Sequence, residues 1–170
     1  MTSSDWSATC GSRSKTRGAK IAERTNATTC VAMSDGTARC WGDNAQGQLG
    51  DGTDVERTSP VDVNGLGNVS ALAAGGAQTC ALISSGDVRC WGDNPDGRLG
   101  TGQIGDHLSP EPVAGIAGAT AITMGDRHGC AVVAGGTVRC AEPEHLGAGR
   151  SCIRENSACA RQLGSGFVPS

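Results

Sequence analysis

Between Thr29 and Trp41 two short β-prone runs, Thr29-Cys30-Val31-Ala32-Met33 and Thr37-Ala38-Arg39-Cys40-Trp41, flank the turn-forming triplet Ser34-Asp35-Gly36. Such runs, broken by a glycine-bearing turn, predict a β-hairpin. The figure returns with a period of 50: Cys30, Cys80 and Cys130 keep the step, as do Cys40, Cys90 and Cys140, Gly36, Gly86 and Gly136, and Arg39, Arg89 and Arg139. A fixed period of this size marks a stack of equivalent units, so each residue is read by its place in the unit. After each hairpin comes a loop rich in Gly, Asp and Thr, ending in the first unit at Ser59-Pro60-Val61-Asp62-Val63, an edge strand placed after a proline. Val69–Ala74 and Ala119–Met124 are small and apolar on both faces, which predicts strands buried between layers. Four short antiparallel strands per period are the content of one blade of a β-propeller, and the fold class is all-β.

The pattern weakens at both ends. The third unit keeps Gly129–Val133 and Thr137–Cys140 but reads Ala141-Glu142 where the others have Trp41-Gly42 and Trp91-Gly92. Before Asn26, Ile21-Ala22-Glu23-Arg24-Thr25 stands where the next unit has Ala71-Leu72-Ala73-Ala74-Gly75. The chain therefore divides into a disordered basic arm over 1–25, repeats over 26–75, 76–125 and 126–141, the last partial, and an irregular tail over 142–170. Two full blades and part of a third make an incomplete ring, with strand edges and apolar faces left open. A fragment or remnant of a larger propeller is the favoured reading, and self-association of several chains to cover the open blade edges is the alternative. Trp41 and Trp91, with Gly36, Gly86 and Gly136, are the expected structural core.

If Ser34, Asp35 and Gly36 form a three-residue loop closing through a left-handed glycine, Met33 pairs with Thr37 and Cys30 lies opposite Cys40. Alternation then makes the two cysteines a non-hydrogen-bonded pair with Cα atoms about 4.5 Å apart, near enough for a disulfide. The same count joins Cys80 to Cys90 and Cys130 to Cys140. Free, small, buried cysteines are the competing reading.

The run Cys80-Ala81-Leu82, Gly86, Val88, Cys90-Trp91-Gly92, Asn94 and Gly97-Arg98-Leu99-Gly100, with Gly47-Gln48-Leu49-Gly50 in the first unit, resembles the repeat of the regulator of chromosome condensation family, C-A-L-x-x-x-G-x-V-x-C-W-G-x-N-x-x-G-Q-L-G. The resemblance covers about residues 26–141, and the paired cysteines look like the variant of bacterial and extracellular members. It implies a propeller that closes as a ring in the whole family member, and, through the founding member, guanine-nucleotide exchange on a small GTPase. Repeats without reactive groups favour a non-catalytic protein-interaction scaffold, with exchange as the alternative. The acidic loop of Asp43, Asp51, Asp54 and Glu56 is the candidate partner-binding surface, because it differs between units and is exposed by composition.

Composition narrows the rest. In 170 residues, 17 acidic against 14 basic side chains exclude a strongly basic nucleic-acid binder. The arm holds Arg13, Lys15, Arg17, Lys20 and Arg24 and leaves the repeats and tail acidic, so nucleic acid is not an expected partner. Gly50-Asp51-Gly52-Thr53-Asp54 suggests a calcium loop, but its twelfth position, counted from Asp51, is Asp62 rather than glutamate. Cys140, His145, Cys152 and Cys159 lack the close cysteine pairs of a structural zinc site. No metal or cofactor is expected. His128 stands two residues from Cys130, whose expected partner is Cys140, and no phosphate-binding loop is present, so no enzyme is expected. Arg39, Arg89 and Arg139 are expected to pack between blades. Asn26 and Asn68 head glycosylation patterns that matter only in a secreted eukaryotic protein. No apolar run is long enough to span a membrane. Paired cysteines favour the exterior or cell envelope and the lack of a signal-like start favours the cytoplasm, so localisation stays open, as do the roles of Cys10, Cys152 and Cys159.

Overall fold

The computed structural model describes residues 20–25, 28–142 and 152–155. Their regular structure is three antiparallel sheets. The first runs in the order β1 (Lys20–Thr25), β2 (Thr28–Ala32), β3 (Ala38–Gly42) and β4 (Arg57–Asp62). The second is β5 (Val69–Gly75), β6 (Gln78–Ile83), β7 (Val88–Gly92) and β8 (His107–Pro112), and the third is β9 (Ala119–Met124), β10 (Gly129–Val133), β11 (Val138–Glu142) and β12 (Cys152–Glu155). Each sheet is one blade. Among the described residues no helix is long and apolar enough to cross a membrane.

The central hairpin forms as counted. Met33 N–H donates to the Thr37 carbonyl at 2.8 Å and Gly36 N–H to the Met33 carbonyl at 3.1 Å, with Gly36 at φ +84°. Cys30 then faces Cys40, Cys80 faces Cys90 and Cys130 faces Cys140. Each pair forms a disulfide, with Cα separations of 4.1, 4.1 and 4.0 Å. The turn glycine also fastens blade to blade: Val69 N–H donates to the Gly36 carbonyl at 2.9 Å and Ala119 N–H to the Gly86 carbonyl at 2.9 Å.

Blade limits differ from sequence-unit limits. Val69–Gly75 pairs with β6 and so opens the second blade rather than ending the first. By the same logic Lys20–Thr25, read from its charged pair as the end of the arm, is the first strand of blade 1, with Ile21 opposite Val31 and Ala22 opposite Cys30. Ladder bonds come from the backbone, so a change of side-chain character does not abolish them. The tail likewise supplies β12, with Arg139 opposite Glu155 and Glu142 opposite Cys152, which gives the third blade a fourth strand. The remainder of the arm, with Cys10, and the remainder of the tail, with Cys159, lie outside the described residues.

Strand alternation gives every blade two faces. One, facing the next blade in sequence and here called trailing, carries Cys30, Ala32, Ala38 and Cys40 in blade 1. The opposite, leading face carries Thr29, Val31 and Trp41. Two apolar clusters lie at the seams. The first joins the trailing face of blade 1 and Leu49 to Ala81 and Trp91 of blade 2. The second joins Cys80, Leu82, Val88, Cys90 and Leu99 of blade 2 to Ala119 and Ala131 of blade 3.

Candidate functional site

Two regions carry chemistry: the rim loops and the seams between blades. The loop of blade 1, residues 43–56, is organised by Asn44, which is fully buried. Its Oδ1 accepts the Leu49 N–H at 2.9 Å, and its Nδ2 donates to the carbonyls of Thr53 at 2.9 Å and Val55 at 3.0 Å. Asn94 repeats the arrangement in blade 2, accepting from Leu99 N–H at 3.0 Å and donating to the carbonyls of Gln103 at 2.9 Å and Gly105 at 3.1 Å. One amide thus replaces the ladder bonds that a loop lacks. The signal for it was the shared Asp-Asn after Trp41-Gly42 and Trp91-Gly92, which identity alone left without a role.

The four acidic loop residues separate into two kinds. Asp43 accepts from Gln48 Nε2 at 3.0 Å and from Ala45 N–H at 3.2 Å. Asp51 accepts from Arg57 Nε at 2.8 Å and from the N–H and hydroxyl of Thr53 at 3.0 and 2.7 Å. Burial pushes the Asp51 carboxyl up, but the Thr53 and Arg57 hydrogen bonds outweigh it and hold the group below the usual carboxylate range. Both residues are spent on the loop itself. Asp54 and Glu56 are exposed, and between them Val55 is 53% exposed.

Blade 2 builds the same brace from a charge. The buried Arg98 takes the place of Gln48, with Nη1 donating to Asp93 at 3.0 Å and Nε and Nη2 to Asp96 at 2.6 and 2.8 Å. The Arg98 hydrogen bond holds Asp96 low. Asp93 goes the other way: burial raises it, Arg98 opposes, and Asp106 and Asp96 add to the rise. Ile104, at the tip of this loop, is 60% exposed, and Leu108 at 39% lies against Gly47 of the neighbouring loop. Sequence reading missed these apolar rim positions, since an exposed isoleucine carries no mark of its own.

At the first seam Trp91 is fully buried. Its Nε1 and the Thr79 hydroxyl both donate to the Gln48 carbonyl, at 2.9 and 3.0 Å. The indole lies against Gly50, where a Cβ would come within 2.7 Å of Nε1. Trp41, expected in the core with Trp91, is only half-buried. The residue type is the same, but burial at this position is supplied by the preceding blade's loop, and none lies against Trp41 among the described residues. At the second seam Gly129 and Ala141 replace the two donors, and a cavity of about 30 Å³ remains, lined by Leu99, Val113, Ile122, Met124, Ala131 and Ala141 among others.

Two of the three arginines also depart from expectation. Arg39 pairs with Asp62 at 2.8 Å and Arg89 reaches the Pro110 carbonyl, so both lie along their own blade's outer strand rather than between blades. Arg139 donates to the Gly115 carbonyl at 2.7 Å. Of the metal sets considered, Asp51 and Asp62 are held by different arginines, and His145 and Cys159 lie outside the described residues. Among the described residues no group of three His, Cys, Asp or Glu could hold a metal ion.

The profile of the Regulator of chromosome condensation (RCC1) repeat matches residues 35–82 and 85–132, and a second profile of that repeat matches 69–98. Searched against curated proteins, the sequence gave no match. Among solved structures, yeast RCC1 (Prp20) bound to Kap60 superposes with a TM-score of 0.66 at 19% identity, covering 82% of this chain and 37% of that one. Human WBSCR16 gives 0.66 at 19% identity, covering 82% and 40%. Prp20p from Saccharomyces cerevisiae, in a structure reported with its binding properties to Gsp1p and histones, gives 0.67 at 18% identity, covering 83% and 38%. The chain spans about two-fifths of the length of these structures.

Proposed function

Since the chain belongs to the regulator of chromosome condensation repeat family, we propose that it is a non-catalytic protein-interaction scaffold whose rim loops meet the partner. One observation carries the reading: buried Asn44 and Asn94 hold loops whose tips present Val55 and Ile104 to solvent. Large apolar side chains held outward on a fixed backbone lose little freedom when a partner covers them. Asp54 and Glu56 flank Val55 and favour a partner with basic groups around an apolar contact. Asp43 and Asp51 are positioning residues and do not touch the partner.

The test compares proteins retained by the wild-type chain and by a Val55→Asp/Ile104→Asp variant of unchanged melting temperature. Retained proteins should be lost from the variant; an identical set would overturn the assignment to the rim. Exchange on a small GTPase is the second reading, favoured by the Gsp1p binding reported for Prp20p. Accelerated nucleotide release from a small GTPase by this chain would move the conclusion to that class.

A further inference from the structure

The rim loop of blade 1 is closed from within by Asn44 and gripped a second time, from outside, by Asn64. This residue follows β4 and forms with Gly65 the two central positions of a turn on the way to β5. Its N–H donates to the Gly50 carbonyl at 2.9 Å and its Nδ2 to the Asp51 carbonyl at 2.8 Å. The amide lies over Gly52, where a Cβ would come within 2.8 Å of Nδ2. Blade 2 shows what the side chain adds. There Ala114 occupies the matching position and its N–H donates to the Gly100 carbonyl at 3.0 Å, but alanine has no amide to reach the loop.

The same residue is open to attack by its own backbone. The side-chain carbonyl carbon of an asparagine lies within reach of the main-chain nitrogen of the next residue, and a glycine there removes the Cβ that would obstruct the approach. Of the asparagines in the chain, only Asn64 precedes a glycine. Asn64 and Gly65 are both exposed. The Gly65 N–H makes no hydrogen bond among the described residues, and a Cβ built on Gly65 meets nothing within 4 Å. Asn44 and Asn94 are the contrast: both are fully buried, both spend Oδ1 on a leucine N–H, and the second precedes Pro95, which has no N–H to give up. In water the one hydrogen bond from Asn64 Nδ2 has too small a net worth to keep that side chain out of reach.

We propose that Asn64 is a site of spontaneous deamidation, and that its conversion to an acid releases the rim loop of blade 1 from the turn. The Gly65 nitrogen, its proton taken by hydroxide, bonds to Asn64 Cγ. The bond from Cγ to Nδ2 breaks, and Nδ2 takes a proton from water and leaves as ammonia. Water then opens the five-membered imide at either carbonyl, which gives aspartate or its β-linked isomer. A carboxylate has no proton for the Asp51 carbonyl, so two acceptors face each other where a donor and an acceptor stood. The loop is then left without its side-chain grip, the condition that Ala114 already gives blade 2.

The two halves of the proposal have separate readouts. Aged in mildly alkaline buffer, the oxidised full chain should exchange amide for acid at Asn64 before any change at Asn44 or Asn94, as read by peptide mass. Gly65→Ala should slow the conversion severalfold. In hydrogen exchange the Gly52 and Thr53 amides of the modified chain should exchange about fivefold faster, the fold-change that one hydrogen bond of ordinary net worth represents. Freshly prepared Asn64→Asp and Asn64→Ala should show the same acceleration, which ties it to the lost donor rather than to damage elsewhere during aging. Asn64 intact while Asn44 or Asn94 has changed, conversion at an unaltered rate in Gly65→Ala, or a modified chain whose Gly52 and Thr53 amides exchange as before would each overturn the proposal.

Discussion

Asn44 and Asp54 lie in one loop and both are polar, yet they do opposite things. Asn44 spends its whole amide on closing the loop, whereas Asp54 is exposed. Replacing Asn44 by alanine leaves the Leu49 N–H and two carbonyls without their partner, a loss of about 1–3 kcal/mol. Asp54→Ala should stay within about 0.5 kcal/mol. Urea unfolding of the two variants checks the contrast, and equal losses would refute it. Asp51 and Asp93 add a dependence on pH. The Asp51 pKa is lowered by folding, so its contribution is complete above the unfolded value of 3.8 and disappears as pH falls through the folded value. The melting-temperature gap between wild type and Asp51→Asn should be open at pH 7 and narrow as pH falls below 3.8. Asp93 is raised, so what it contributes is present below 3.8 and lost as pH rises through its folded value, and Asp93→Asn should flatten the stability curve in that window.

At the scale of elements, the hairpin was the most legible part because its geometry is local arithmetic. Once Ser34-Asp35-Gly36 is a three-residue loop, the partners of Met33 and Cys30 follow without knowledge of the rest of the chain. Trp41 and Trp91 mark where that arithmetic stops. They occupy the same place in the same motif, but among the described residues the loop of another blade lies against Trp91 and none lies against Trp41, and a repeat sequence does not say which loop meets which indole. β1 and β12 were missed for a related reason, since backbone pairing recruits a strand even where the side-chain pattern has lapsed. The seam can be weighed through two glycines that share a left-handed backbone. Gly50, at φ +71°, lies against Trp91, whereas Gly65, at φ +62°, has nothing within 4 Å of a built Cβ. Both alanine variants carry the backbone penalty of about 1 kcal/mol, and only Gly50→Ala adds the overpacking penalty of about 1–3 kcal/mol. A difference of that size in denaturant stability measures the indole contact, and equal losses would remove Trp91 from the account of the seam.

At the scale of the whole molecule, the two internal seams form a comparison within one chain. The first is closed by an indole and two hydrogen bonds to one carbonyl. The second has Ala141 in the indole's place, 7% exposed, and keeps an apolar cavity of about 30 Å³ beside it. Space of that size receives one or two methyl groups but not an indole. Ala141→Val should therefore stabilise the chain by about 1 kcal/mol, at roughly 0.8 kcal/mol per buried methylene less the strain of fitting, which raises the melting temperature by about 2–4 °C for a domain of this length. Ala141→Trp restores the motif but exceeds the cavity, so it stabilises only if the third blade swings outward as a body to admit the ring. If that hinge is stiff, the variant loses about 1–3 kcal/mol. The order Val above Ala above Trp in melting temperature would show a rigid seam that has settled around the smaller residue. Trp above Val would show blades free to move apart, held chiefly by the links from Gly36 to Val69 and from Gly86 to Ala119.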